Sequence, residues 1–207
     1  MPKAFNESER ERIRSRLIEA GKRTLNRGGM KGVVIDDIAR GAGISKGSFY
    51  SFFPSREDFI LSVFEAWESE YREALIRTVT ESAGSPREKM ERFFKGAFAL
   101  IEREPGLSRI GLKDVERLVE ALPPERLAAH QANDNKVLET TFAEWFSRGL
   151  LDPAAAEAMH GLVAALFLIA MHKEDFPAGT YEPTINLVAE ALAMRIASGG
   201  EKGDTNR

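Results

Sequence analysis

The stretch Val33-Val34-Ile35-Asp36-Asp37-Ile38-Ala39-Arg40-Gly41-Ala42-Gly43-Ile44-Ser45-Lys46-Gly47-Ser48-Phe49-Tyr50-Ser51-Phe52-Phe53 decides the fold. Two short helices crossing at a steep angle need a small residue where they touch, and Ala39 stands at that place. The tight turn between them needs a residue that tolerates φ > 0, and Gly43 follows at the right distance. Ile38, Ile44, Phe49 and Phe53 then form an apolar wedge that sets the crossing angle. Ser45 caps the second helix, so that its amide end and the positive end of its dipole face outward. The spacing predicts a helix-turn-helix, with helices near Val33–Arg40 and Ser45–Phe53.

The outer side of the second helix carries Lys46, Gly47, Ser48, Tyr50 and Ser51. These suit duplex DNA. Lys46 can reach a phosphate or a guanine edge, and Gly47 lets the backbone come close. Ser48 and Ser51 are short hydrogen-bonding groups, and Tyr50 offers a hydroxyl to a phosphate. Arg56, just past the Pro54-Ser55 break, is positioned to clamp a further phosphate. Charge agrees with this reading. Residues 1–56 carry 12 Lys/Arg against 6 Asp/Glu, a net of +6 in a chain whose total is −3. A basic block beside an acidic body favours phosphate binding through counterion release.

Working outward, nearly every segment reads as helix, and no stretch alternates with period two. The first helix covers about Glu7 to Arg27, with Asn6 or Ser8 to cap it and Gly28-Gly29 to stop it. A long helix follows Ser55, from Arg56 to about Thr80. Further helices are expected over Pro86–Glu104, Leu107–Leu122, Pro124–Leu150, from Asp152-Pro153 to about His172, and Glu182–Ser198. The result is an all-α chain of nine helices, with domains at 8–68 and 69–198 and a disordered polar tail at 199–207. The absence of cysteine excludes disulfides, Cys-ligated zinc, iron–sulfur clusters and thiol catalysis. Met1–Asn6 runs straight into a charged stretch, and the longest apolar run, Gly161–Met171, is too short to span a bilayer. A cytoplasmic protein without a membrane partner is expected.

In its first third the sequence resembles the TetR/AcrR family of bacterial regulators. The run Asp37-Ile38-Ala39, Ala42-Gly43-Ile44-Ser45-Lys46-Gly47-Ser48-Phe49-Tyr50 and Phe53-Pro54-Ser55-Arg56-Glu57 follows the family pattern, and the resemblance covers about residues 9–68. It implies a three-helix DNA-binding domain, joined through the fourth helix to a ligand-binding and dimerising domain. It also implies DNA contacts at Lys46, Gly47, Ser48, Tyr50, Ser51 and Arg56, beside the capping Ser45. Two positions depart from the pattern. Val33 and Val34 stand where a capping Thr or Ser usually opens the first helix, leaving Lys31 or a backbone amide to replace its phosphate contact. Phe52 stands where His is common, which points to packing there.

The larger domain offers two features, each with a plain alternative. Phe93, Phe94, Phe98, Phe142, Trp145, Phe146 and Phe167 line an apolar effector pocket or simply fill a core; aromatic residues at helical spacing more often do the second. The segment His160–His172 is apolar nearly all round, and the last helix is amphipathic. Together they suggest a four-helix dimer interface through Leu166, Ala170, Val188 and Leu192, or else a central helix within one protomer. His130, His160 and His172 lack metal-ligand spacing, and there is no nucleophile elbow, P-loop or dinucleotide fingerprint. No catalytic residue, metal or cofactor is expected. The reading is a regulator, more readily a repressor, that binds a palindromic operator as a homodimer and is released by an unidentified small molecule, for which an apolar pocket would suit a hydrophobic one. The alternatives are a helical DNA-binding protein without an effector, and a helical enzyme with a DNA-binding head.

Overall fold

The computed structural model describes residues 5–103 and 110–197; the expected tail at 199–207 lies outside them. Nine α-helices occur among the described residues: α1 (Glu7–Gly28), α2 (Ile35–Gly41), α3 (Lys46–Phe49), α4 (Arg56–Thr80), α5 (Pro86–Arg103), α6 (Leu112–Ala121), α7 (Pro124–Ser147), α8 (Ala156–Met171) and α9 (Tyr181–Ile196). Short 3-10 turns occupy Met30–Gly32, Pro153–Ala155 and Lys173–Asp175. No strand forms among the described residues; one isolated bridge joins Leu151 to Ala197.

Local chemistry explains the helix ends. Asn6 caps α1 reciprocally: its Oδ1 accepts from the Glu9 amide at 2.8 Å, and the Glu9 carboxylate accepts from the Asn6 amide at 3.1 Å. Gly29, at φ 59°, turns the chain away while its N–H donates to the Leu25 carbonyl. Ser55 accepts from the Asp58 amide to start α4. Ser85 and Glu88 form a second reciprocal cap at α5. α7 stops at Ser147, short of the expected Leu150. There Gly149, at φ 63°, lets the Leu150 amide fold back to the Trp145 carbonyl at 2.9 Å.

The described residues form two compact units. One comprises residues up to 70 together with 110–123; the other comprises 71–103 and 124–197. The expected boundary near 68/69 therefore falls inside α4, close to where the units part. The inclusion of α6 in the first unit was not foreseen. Leu118 and Leu122 are buried there, along with Ile110 ahead of the helix.

Within the first unit, α1 buries Ile13, Leu17, Ile18, Ala20 and Leu25. It approaches α4 so closely at Gly21 that an added Cβ would lie 2.6 Å from Val63 Cγ2 and 2.7 Å from the Phe59 ring. Phe49, Phe53 and Phe59 are fully buried and pack mutually, with ring centroids 5.0–5.5 Å apart. This trio fixes α3 and the turn after it against α4. Burying each such ring stabilises by about 1.5–3 kcal/mol.

The second unit is built around α5, along which α9 packs and against which α8 also lies. Its core includes Met90, Phe94, Trp145, Leu151 and Met159, all fully buried.

Candidate nucleic-acid interface

The α2–turn–α3 element is short and tightly bonded. Ala39 is buried at the crossing with Ile38, and Ile44 is half-buried. The Ala39 carbonyl accepts from the Ile44 amide at 3.0 Å, closing the turn around Gly43, whose φ is 76°. The α-helical part of the second helix spans only Lys46–Phe49, not Ser45–Phe53. Beyond it the bonds tighten to Ser51 on Ser48 and Phe52 on Phe49. Pro54 accounts for this, since it disfavours helical geometry in the residue before it. α2 likewise starts at Ile35, two residues later than expected, because Val33 closes the preceding 3-10 turn.

Ser45 caps α3: its Oγ accepts from the Ser48 amide at 3.1 Å and lies 2.9 Å from the Ser48 Oγ. Lys46 is exposed and its ammonium lies 2.9 Å from Asp36. That hydrogen bond and the carboxylate charge hold Lys46 above the ordinary lysine value, so it stays cationic. Gly47 opens onto free space, the nearest atom to an added Cβ being Ser45 Oγ at 3.9 Å. Tyr50 is exposed and meets the edge of Phe49, while Ser51 donates its hydroxyl to the Ser48 carbonyl at 2.7 Å. Ser48 is half-buried. The six residues from Ser45 to Ser51, Phe49 apart, thus form one small polar surface with a fixed cation.

Arg56 is placed differently from the phosphate clamp expected of it. Its Nε donates to the Val33 carbonyl at 3.0 Å, a terminal nitrogen donates to the Met30 carbonyl, and the other pairs with Glu57 at 3.1 Å. The guanidinium thus ties the α1–α2 connection to the head of α4. The reason is local: the 3-10 turn leaves two carbonyls aimed at the start of α4, and a fork of donors fits them. At the position of the missing Thr or Ser, Val34 precedes α2 with no side-chain cap and is 47% exposed, whereas Val33 is buried. Lys31 beside them is exposed.

Two arginines of α1 join this surface without having been foreseen. Arg10 stacks over Phe52 at 4.6 Å and donates to the Ser51 carbonyl at 3.0 Å; Arg14 lies over Phe53 at 4.6 Å. The signal available was their spacing of one helical turn in the basic first helix.

In the second unit, Phe94, Phe98, Phe142 and Trp145 are buried and Phe146 is half-buried. Phe93 meets Trp145 edge-on at 5.0 Å and Phe142 lies 6.0 Å from it. The group is in packed contact, which is the plainer of the two sequence readings, although the buried Trp145 indole N–H has no hydrogen-bond partner among the described residues. Phe167 lies on α8, but its side chain is outside the described set. The residues expected at a dimer interface lie in this core or along its edge. Leu166 and Ala170 are buried in the core, and Val188 and Leu192 pack against it. Among the described large apolar side chains of α8 and α9, those left outside are Leu168 at 55%, Leu187 at 68% and Met194 at 55% exposure. A helix apolar nearly all round gives no preference between faces, so the sequence could not rank them.

Residues 17–63 match the family described as bacterial regulatory proteins, tetR family. The transcriptional regulator AcuR of Cereibacter sphaeroides is 30% identical over 97 residues, covering 47% of this chain and 42% of AcuR. The HTH-type transcriptional repressor KstR2 of Mycobacterium tuberculosis is 28% identical over 105 residues, covering 51% of this chain and 52% of KstR2. The chain thus spans about half the length of these curated relatives. The fold matches a crystal structure of a TetR-family transcriptional regulator from Pectobacterium atrosepticum with a TM-score of 0.70 at 18% identity, over 95% of this chain and 100% of that one. Residues 17–63 thus carry the DNA-binding segment of the tetR family of bacterial regulatory proteins, on a helical fold similar to that of a TetR-family regulator.

Proposed function

We propose that this protein is a cytoplasmic transcriptional repressor that binds a palindromic operator as a homodimer and is released by a small-molecule effector. The observation that carries the proposal is the surface of α3: a capped, outward-facing helix start with Lys46 held charged and Gly47, Tyr50 and Ser51 exposed. A helix of this size reads few base pairs, so two copies on adjacent half-sites supply specificity. Leu187 and Met194, two turns apart on α9 with Ala191 between them, offer an apolar stripe for the second copy.

We place the effector at the aromatic cluster of the second unit, which is packed as it stands and would have to part around an apolar molecule. α4 supplies residues to both units, up to Glu70 in the first and from Tyr71 in the second. Release is a population shift: the effector must bind the DNA-incompetent state more tightly than the competent one.

The test is to pass the purified protein over fragmented genomic DNA of the source organism and sequence what is retained at low and at moderate salt. Recurrent palindromic sites are the expected result. Uniform retention that disappears with salt would refute operator recognition. An effector drawn from the products of neighbouring genes should release the sites; failure of every such compound to do so would count against the effector part alone.

A further inference from the structure

We propose that Arg10 is a DNA-phosphate contact, pre-positioned by Phe52 and Ser51 at the C-terminal end of α3; this rests on the DNA-binding reading above. Most cations around the helix-turn-helix are already engaged. Lys46 is paired with Asp36 and Arg40 with Asp37, while Arg56 is committed to two backbone carbonyls and Glu57. Arg10 differs. Its contacts among the described residues are to neutral groups: the Phe52 ring and the Ser51 carbonyl. The nearby Glu9 carboxylate is engaged in capping α1. Arg10 therefore keeps its full charge, and four of its five N–H donors are left to serve a phosphate.

Position and order are also right. The Ser51 carbonyl that Arg10 holds belongs to the segment carrying Tyr50 and Ser51, so its charge lies beside those two exposed groups. Phe52 is itself packed against Phe5, 6.0 Å away, which steadies the platform. A guanidinium stacked on an aromatic face and tethered at one nitrogen has lost rotational freedom before any ligand arrives. Little further ordering is then needed when a phosphate binds. Arg14, one turn along and stacked on Phe53, is half-buried and supports the same positive edge. Phe52 thus has a use at a position that otherwise looks like a lost polar contact.

A purely structural role, pinning the start of α1 to the end of α3, is the competing account, and salt dependence separates the two. Binding of a labelled mixed-sequence duplex is measured across a salt titration for the wild type, Arg10→Gln and Arg10→Lys, with thermal unfolding of each free protein. A phosphate contact predicts that Arg10→Gln lowers the slope of log affinity against log salt by about 0.9 for each bound protomer. Arg10→Lys, which keeps the charge, should restore most of that slope. An unchanged slope in Arg10→Gln would overturn the proposal, whether or not affinity falls, and a lowered melting temperature alongside it would identify the structural role. A wild type whose retention on the duplex shows no salt dependence would overturn the DNA-binding reading and this proposal with it.

Discussion

Replacing Gly21 with alanine tests whether α1 and α4 are packed as closely as the structure has them. In an isolated helix the change stabilises by roughly 1 kcal/mol, because alanine loses less backbone entropy than glycine. Here the new Cβ would lie 2.6 Å from Val63 Cγ2 and 2.7 Å from the Phe59 ring. Neither neighbour has room to retreat, since both side chains are fully buried and Phe59 is held between Phe49 and Phe53. Overpacking of this kind costs about 1–3 kcal/mol, and two simultaneous clashes place it at the upper end. The net effect should be a loss of about 1–2 kcal/mol, lowering the melting temperature of the first unit by roughly 5 °C or more. Trp67, buried on the same half of α4, reports that unit by fluorescence once Trp145 of the second unit is replaced by Phe in both proteins, and circular dichroism follows the whole chain. Gly41→Ala is the control: it ends α2 with nothing within 4 Å of the added atom, and it should stabilise by roughly 0.5 kcal/mol. If Gly21→Ala stabilised as much as Gly41→Ala, the close approach of the two helices would be refuted.

Arg56→Ala should destabilise the first unit by about 1–3 kcal/mol in thermal unfolding, because the Val33 and Met30 carbonyls lose their charged donors; an unchanged melting temperature would return Arg56 to the role of a free DNA clamp. The Ser85 amide and hydroxyl donate to Glu88 and hold its carboxyl below the ordinary glutamate value, so its contribution is present at neutral pH and lost as pH falls through its folded-state value. Unfolding of Glu88→Gln should therefore differ from wild type at neutral pH and converge with it in acid. Lys22 has the opposite sign: burial opposes its charge, but hydrogen bonds to Glu70 and Glu19 outweigh that and raise its pKa. Its ion pairs should thus stabilise up to the ordinary lysine range and fail as pH rises through the folded value, which Lys22→Met would abolish in alkaline unfolding curves. Leu187→Glu combined with Met194→Glu should yield monomers by light scattering at an unchanged melting temperature of each protomer, because both side chains are exposed; a persistent dimer would place the interface elsewhere.

The sequence by itself determined the helix-turn-helix, the all-helical plan and most helix boundaries, because their causes are local. Ala39, Gly43 and Ser45 act within a few residues of one another, and a cap or a left-handed glycine acts on the next turn of chain. Tertiary structure decided whatever depended on residues distant in sequence. Arg56 meets carbonyls 23 and 26 positions back, and Arg10 meets one 41 positions ahead, so neither partner could be read from spacing. The same holds for α6, whose own sequence carries no sign that it joins the first unit. The outward face of α8 and α9 was likewise unreadable. Hydrophobic pattern ranks residues by their aversion to water; which neighbour removes that water is settled only when the helices pack, and here they cover Leu166 and Ala170 and leave Leu187 and Met194 outside.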